Sequence, residues 1–400
     1  MVQGKHQMFE YFPKNYPWNL AVNSALNAGG VVGELDEICR PLVAIAEDGI
    51  KAAPEWGRAW ARLGAWLESL GDTDSAAGHK RSASHKYRRA SIYYLVVERN
   101  MHTGDPASMS IYRKALVMFR LGVQNLSDAV EFVDVPYKND SLPALFIPAK
   151  NLKHGEKAPC MVDFDGLDVM KELIVLRGMA NELSERGVSV LLCDHPGVGE
   201  ALCLRNLKMF SELEVPAGAC IDYLETRHDV DAGRIGMIAL SLGGYYAPRA
   251  AAFEKRFKCC VAWGAIWDYG KISMARATKV SSTELPVFDW ADQMMWVFGK
   301  PSVKECLPIT ERMTLEGVID KVTCPILITH GETDRQVPLQ NAVNTFDGAV
   351  NSSRRELRIF TAAAGGVEHC QADNVNGMDY VSDWIVDVLI NGNSFVPPKR

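Results

Sequence analysis

The chain has 400 residues, 48% of them hydrophobic and 23% charged, with a net charge of −6 and a sequence pI near 5.9. That length exceeds one ordinary core and predicts a large α/β domain with an added module. An acidic balance without a long Lys/Arg cluster argues against a nucleic-acid or anionic-membrane surface, and no apolar run approaches the ~20 residues of a membrane span.

The first residues, MVQGKHQMFEYFPKNYPWN, hold no uninterrupted apolar stretch of the secretory-signal kind. Of the ten cysteines, Cys160, Cys193, Cys259, Cys260 and Cys324 lie inside apolar runs, no pair has C-x-x-C spacing, and the nine histidines are scattered. Such thiols suit a buried role in a reducing compartment better than a disulfide framework or a zinc site. The expectation is a cytoplasmic protein without a metal.

To about Leu126 the spacing is helical. The segments GELDEICRPLVAIAEDGI, EWGRAWARLGAWLESLGD, SASHKYRRASIYYLVVERNM and SMSIYRKALVMFRLGV each repeat apolar residues every three or four positions. Asp72 or Asp74, and Asp105, are possible helix starts. Trp60, Leu63 and Gly64 match the opening of a tetratricopeptide repeat with Leu67 in its tyrosine slot, but no second copy follows. A plain helical module over 1–126 is the better reading.

After Leu126 the period becomes two. AVEFVDVPY and LPALFIPA flank Lys138-Asn139-Asp140-Ser141, a hairpin signature. Strands then alternate with helices: APCMVDFDG, VSVLLCDHPGVG, RIGMIAL, CCVAWGAIWD and CPILITHG each precede a helical or irregular segment. Strict alternation predicts an α/β fold with a doubly wound, mostly parallel sheet over 127–390. A cap-like insertion interrupts it at about 269–319, and the tail 391–400 reads as disordered.

In such sheets ligands sit beyond the carboxyl ends of the strands. Ser241 stands there, between the strand RIGMIAL and a helix, in the sequence Ala239-Leu240-Ser241-Leu242-Gly243. The sharp turn that holds out a nucleophilic serine is written G-x-S-x-G; here Ala239 fills its first slot. The alternative is a capping serine. A nucleophilic serine needs a histidine base and an orienting carboxylate, which in this architecture follow in the order Ser, acid, His. Asp334, in PILITHGETDRQVP, and His369, in LRIFTAAAGGVEHCQADN, both follow strands on the same edge.

Competing assignments stay open: Asp334 as a cap for the helix near Pro338, Glu332 as the acid, and His369 as a loop histidine bonded to backbone. His330 and His195 are rival bases at strand ends, His330 better read as packing. Backbone amides for a developing oxyanion belong at Leu242, after the nucleophile, and at Leu167 in the Asp165-Gly166-Leu167-Asp168 loop. Asp165 and Asp168 also suit turn and cap roles, and Glu172 a capping pair with Asp168.

With these residues in place, the chain resembles a branch of the α/β-hydrolases that includes 2,6-dihydroxypseudooxynicotine hydrolase, the bacterial FrsA-like proteins and fungal polyketide-shortening hydrolases of the yellowish-green pigment type. The resemblance runs through GHKRSASHKYRRASIYY, DGLDVMKE, DHPGVGE, SLGGYYAPRAAAFEKRFKCCVAWGA, THGETDRQVP and GGVEHCQADN, from about Gly78 to the last helix. It implies a helical module folded as a lid over the catalytic edge, a homodimer, and hydrolysis of a carbon–carbon bond beside a ketone in several members, esters or lactones in others. Its triad falls on Ser241, Asp334 and His369. Relatives tend to carry glycine where this chain has Asp165.

The triad fixes acyl-transfer chemistry but not the leaving group. Cleavage of a 1,3-diketone releases an enolate and benefits from a further donor, for which Asp268 and Tyr269 are placed; a cap and a packing tyrosine are the plainer roles. LPVFDWADQMMWVFGK, with Trp290 and Met294, and Tyr94 in the helical module (with Tyr93 and Trp66) are candidates to line a pocket for an aromatic substrate, or else core. DHPGVGE lacks a phosphate-loop pattern, so no cofactor is expected. The expected function is a serine hydrolase that cleaves a carbon–carbon bond of a ketone substrate. An esterase or lactonase is the alternative, and a non-catalytic binding or regulatory protein the reading from another class.

Overall fold

The structure, a computed structural model, describes residues 9–100, 106–125, 129–150, 152–153, 155–280, 290–366, 369–371 and 375–392. The possible helix start at Asp105 and the tail beyond Gly392 lie outside these residues.

Among the described residues five α-helices come first: α1 (Tyr16–Asn27), α2 (Val32–Cys39), α3 (Ala53–Ala76), α4 (Lys80–Asn100) and α5 (Pro106–Gln124). Asn15 caps α1 by accepting from the Trp18 amide at 3.1 Å, the usual remedy for an unpaired first-turn N–H. Asp72 and Asp74 do not start a helix. They lie inside α3, Asp72 accepting from the Tyr87 hydroxyl at 2.8 Å and Asp74 pairing with Lys86. The break falls later, at Gly78, whose φ of 80° suits glycine.

Helices α3 and α4 approach closely because α3 presents glycines to aromatic rings. A Cβ at Gly64 would lie 2.7 Å from the Tyr94 ring, and one at Gly71 2.6 Å from Tyr87. Buried aromatics tie the module together: Trp18 stacks on Trp56 at 4.5 Å, Trp56 meets Trp60 at 5.0 Å, and Trp60 meets Tyr93 edge-on at 5.7 Å. Each such pair contributes about 0.5–1.5 kcal/mol beyond its buried area.

An eight-stranded sheet follows, in the order β1-β2-β4-β3-β5-β6-β7-β8. Strands β1 (Glu131–Tyr137) and β2 (Asp140–Ile147) form an antiparallel hairpin. Its turn is tighter than the four residues expected. Asp140 and Ser141 pair with Tyr137 and Pro136, leaving Lys138 and Asn139 to turn, with Lys138 at φ 52°, as two-residue hairpin loops demand.

Strand β3 (Ala158–Phe164) leads to α6 (Lys171–Arg177) and α7 (Met179–Glu185), and β4 (Ser189–Cys193) to α8 (Gly199–Cys203) and α9 (Glu214–Glu225). β5 (Val230–Leu240) enters α10 (Gly243–Phe253) and β6 (Cys260–Trp263) leads to α11 (Tyr269–Val280), α12 (Trp290–Phe298) and α13 (Val303–Thr310). β7 (Ile326–Gly331), α14 (Gln340–Gly348), β8 (Arg355–Phe360) and α15 (Val375–Leu389) complete the chain. Strands β3 to β8 are mutually parallel, and β2 joins β4 antiparallel.

Alternate strand residues face two cores. Met161, Val190, Ile238 and Leu327 pack with α6, α7, α15 and the helical module; Val162, Leu191, Met237 and Ile328 pack with α9, α10 and the α12–α13 region. Beneath the module, Lys171 is 3% exposed and its Nζ lies 2.7, 2.8 and 2.6 Å from Glu172, Asp194 and Glu200. A buried ammonium requires such neutralisation. Glu172 is therefore the partner of Lys171. All ten cysteines are free thiols, and no helix among the described residues is long and apolar enough to cross a membrane.

Candidate active site

Strand β5 ends at Leu240, and Ser241 turns the chain sharply into α10. Its φ is 62°, a conformation that costs a non-glycine residue of order 1–3 kcal/mol. The turn is possible because its flanks are small. A Cβ at Gly243 would lie 2.6 Å from the Ala239 Cβ, and one at Gly244 2.5 Å from the Gly264 carbonyl oxygen. Alanine at 239 is thus accommodated by glycine at 243. The Ser241 amide donates to the Trp263 carbonyl at 2.9 Å, fixing the turn to β6.

Two further loops converge on the hydroxyl. The His369 Nε2 lies 2.7 Å from Ser241 Oγ, and its Nδ1 lies 2.7 Å from Asp334 Oδ2. An ionised carboxylate only accepts hydrogen bonds, so Nδ1 carries the proton and Nε2 is left to accept from the serine. The other oxygen of Asp334 accepts from the Gln336 and Val337 amides at 2.8 and 3.0 Å. Asp334 therefore caps its own loop and holds His369; the two roles do not compete.

Burial alone would raise the Asp334 carboxyl, but the charge and hydrogen bond of His369, with His330 and the Val337 amide, outweigh it and hold it at about 2. Burial alone would lower the His369 imidazole, but the Asp334 carboxylate raises it well above its usual 6.5. Carboxylate and imidazolium stabilise each other, which is how such a pair makes the histidine a stronger base.

The rival groups are occupied elsewhere. His330 is fully buried, with Nε2 2.9 Å from the Val337 carbonyl oxygen, and desolvation lowers its pKa. His195 sits between the carbonyls of Pro196 and Asp165 at 2.9 and 3.2 Å. Glu332 accepts from the Ala362 amide at 3.2 Å.

The loop after β3 lies against the serine. A Cβ at Gly166 would come within 2.8 Å of Ser241 Cβ and 3.1 Å of the Leu242 nitrogen. Asp165 turns this loop, accepting from the Gly166 amide. Among the described residues no group accepts a hydrogen bond from the Leu167 or Leu242 amide, so both donors remain available beside Ser241.

A cavity of about 990 Å³ opens over these groups. Ser241, His369, Asp334, Leu242, Leu167, Asp168, Asp268, Tyr269 and Trp290 all line it. Asp268 caps α11, its Oδ1 accepting from the Lys271 amide at 2.9 Å, and pairs with the Lys271 ammonium at 3.2 Å. Tyr269 directs its hydroxyl to Met294 Sδ at 3.3 Å. These are the cap and packing roles, held at the cavity wall.

Two candidates for the wall do not reach it. Met294 is wholly buried behind Tyr269. Tyr94 is 2% exposed, packs on Gly64 and donates to Glu68 Oε2 at 2.6 Å; helical spacing placed it in the module's core. Tyr93 likewise bonds Glu34 at 2.7 Å, and Trp66 is 51% exposed.

The wall also contains groups not foreseen: Tyr16, Pro17 and Leu20 of α1, Arg99 at the end of α4, Arg276 of α11, and Arg335. The α1 residues carry no motif, and a terminal arginine on a long amphipathic helix reads as solvated. The described part of the helical module thus roofs the carboxyl edge of the sheet.

The prolyl oligopeptidase family matches residues 217–390, the segment that carries all three converging groups. Over 407 residues the chain is 27% identical to hydrolase acrC of Aspergillus aculeatus, covering 90% of this chain and 93% of that protein. It is 27% identical over 400 residues to the 20-hydroxy-prefusarin hydrolase FUS2 of Gibberella moniliformis, covering 90% and 92%. Among solved structures, 2,6-dihydroxy-pseudo-oxynicotine hydrolase superposes with a TM-score of 0.74 at 20% identity, covering 95% of this chain and 99% of that one. AbyA5 superposes with a TM-score of 0.64 at 17% identity, covering 91% and 95%. The chain has the α/β-hydrolase fold, and fungal hydrolases are homologous to it over most of its length.

Proposed function

We propose that the protein is a serine hydrolase that cleaves a carbon–carbon bond beside a ketone, in a hydrophobic 1,3-diketone or polyketide-like aromatic substrate. The observation that carries the reading is His369 bridging Ser241 and Asp334 with 2.7 Å on either side. A binding protein has no need for a strained serine joined to a base and an orienting acid.

The residues act in turn. Ser241 Oγ adds to the substrate carbonyl while its proton passes to His369 Nε2. The resulting oxyanion takes the amides of Leu242, on the serine turn, and Leu167, on the facing loop, donors that cost little reorganisation because the fold already holds them. Collapse restores the carbonyl and breaks the carbon–carbon bond, whose electron pair moves into the neighbouring carbonyl as an enolate. The imidazolium returns its proton to that carbon, releasing a ketone. Water, deprotonated by His369, then attacks the acyl-serine and releases the acid. Asp334 keeps its proton count throughout and stabilises the imidazolium.

Three features support a sizeable hydrophobic substrate with a few oxygens. The cavity matches the ~300–1,000 Å³ of sites for drug-sized molecules at about 990 Å³. Its wall is mixed, with Trp290, Leu167 and Ile272 beside Tyr269, suiting a flat molecule with a few oxygens. One homologue is named for hydrolysing 20-hydroxy-prefusarin.

The test is incubation with a panel of aryl 1,3-diketones and aryl esters, products identified by mass, with Ser241→Ala alongside. Conversion of a diketone to an acid and a ketone, lost at least ~10³-fold in the variant, is the expected result. Turnover of esters alone would make the protein an esterase or lactonase with the same triad.

A further inference from the structure

The loop that offers the Leu167 amide is held at both ends, by different parts of the molecule. On one side Asp165 and Gly166 belong to the sheet edge: the Asp165 carbonyl lies 3.2 Å from His195 Nε2, and Gly166 presses on Ser241 without room for a Cβ. On the other side Asp168 reaches across to the helical module, where Arg99 donates from its guanidinium to Asp168 Oδ2 at 2.8 Å. The side chains of Arg99 and Asp168 are 13% and 31% exposed, and both line the cavity with Ser241 and Leu167.

A second bond joins the same two bodies nearby, from the Arg177 guanidinium on α6 to Ser24 Oγ on α1 at 2.7 Å. That contact has a neutral acceptor, and Arg177 bears on the loop through its charge beside Asp165, whose Oδ2 has no hydrogen-bond partner among the described residues. The Arg99–Asp168 pair is charged, largely shielded from water, and one residue from the amide that matters. Shielding strengthens such a pair and makes its geometry specific.

Resting on the serine-hydrolase reading above, we propose that Arg99 is a positioning residue. Through Asp168 it holds the Leu167 N–H at the oxyanion, so the helical module completes the oxyanion hole as well as roofing the cavity. The adjoining guanidinium also adds positive charge on the side where negative charge develops. An amide displaced by about 1 Å forfeits up to about 10²-fold in rate, and losing one oxyanion donor altogether costs about 10²–10³-fold.

The experiment uses the full chain and 4-nitrophenyl butyrate, with Arg99→Met, Arg99→Lys, Asp168→Asn and the Met/Asn double variant. It records kcat, KM, thermal midpoint and the inhibition constant of phenyl trifluoromethyl ketone, which forms a tetrahedral oxyanion on serine. Expected for Arg99→Met is a kcat about 10–100-fold lower with KM within about 2-fold, and a trifluoromethyl ketone inhibition constant raised by the same factor. Asp168→Asn should match it, the double variant should be no worse than the weaker single, and Arg99→Lys should recover part of the loss. A merely structural contact would move the thermal midpoint without moving the inhibitor.

A folded Arg99→Met enzyme with wild-type kcat and inhibitor affinity overturns the proposal, as does a loss carried by KM alone or a multiplicative double variant. If Arg99→Met fails to fold, Asp168→Asn gives the same readings. Wild-type labelling by a fluorophosphonate is the control: an unlabelled Ser241 sinks the serine-hydrolase reading itself, whereas a labelled enzyme indifferent to Arg99 sinks only the clamp.

Discussion

Ser241, His369 and Asp334 lie 128 and 35 residues apart along the chain, yet their order and strand-end positions made them legible, because parallel strands deliver their following loops to one edge. Their electrostatics predict a pH profile. His369 can accept the serine proton only when neutral, and Asp334 raises its pKa well above 6.5. The rate of fluorophosphonate labelling at Ser241 should therefore rise with pH through a midpoint above 6.5. Replacing Asp334 by Asn removes the group that stabilises the imidazolium, so the midpoint should move down while the plateau falls by about 10⁴-fold. A midpoint that stays put would mean another group titrates. Gly166 offers a second test. Its missing Cβ would meet Ser241 at 2.8 Å, so Gly166→Ala should lower kcat on 4-nitrophenyl butyrate by about 10²-fold, the size of one displaced oxyanion donor. Arg99 and Arg276 were not legible, since nothing in a helical pattern tells which charged residue meets a cavity and which meets water.

At the scale of elements, period and punctuation identified the helical segments, the hairpin and the strand–helix alternation. What they misplaced has a physical cause. Asp72 and Asp74 look like helix starts but sit near the C-terminal end of α3, because α3 meets α4 along a glycine face and its polar residues are taken up by Tyr87 and Lys86. Tyr94 looks like a candidate lid aromatic but is the counterpart of Gly64 in that same contact. The contact is therefore where the module is sensitive. Gly64→Val should drive a branched side chain into the Tyr94 ring and destabilise the protein by about 1–3 kcal/mol, as overpacking does, despite replacing a poor helix former. Chemical denaturation followed by tryptophan fluorescence would read this, and a neutral or stabilising change would contradict the close packing of α3 on α4.

At the scale of the molecule, two cores share one sheet, and the helical module joins the core on one side of it while roofing the strand ends. Length and composition suggested two parts; that α1 lines the cavity could not be read, because docking of the first helix depends on long-range contacts such as Arg177 with Ser24. The family resemblance implies a homodimer, so light scattering should give twice the 44.2 kDa of the chain. The central claim is that Ser241 attacks a ketone carbonyl and carries its acyl fragment. The direct measurement is intact-protein and peptide mass after rapid acid quench of the enzyme with an aryl 1,3-diketone. The expected result is an added acyl mass on the Ser241 peptide, absent from Ser241→Ala, together with the released ketone. Accumulating acid and ketone with no mass ever added at Ser241, or undiminished turnover by Ser241→Ala, would contradict it.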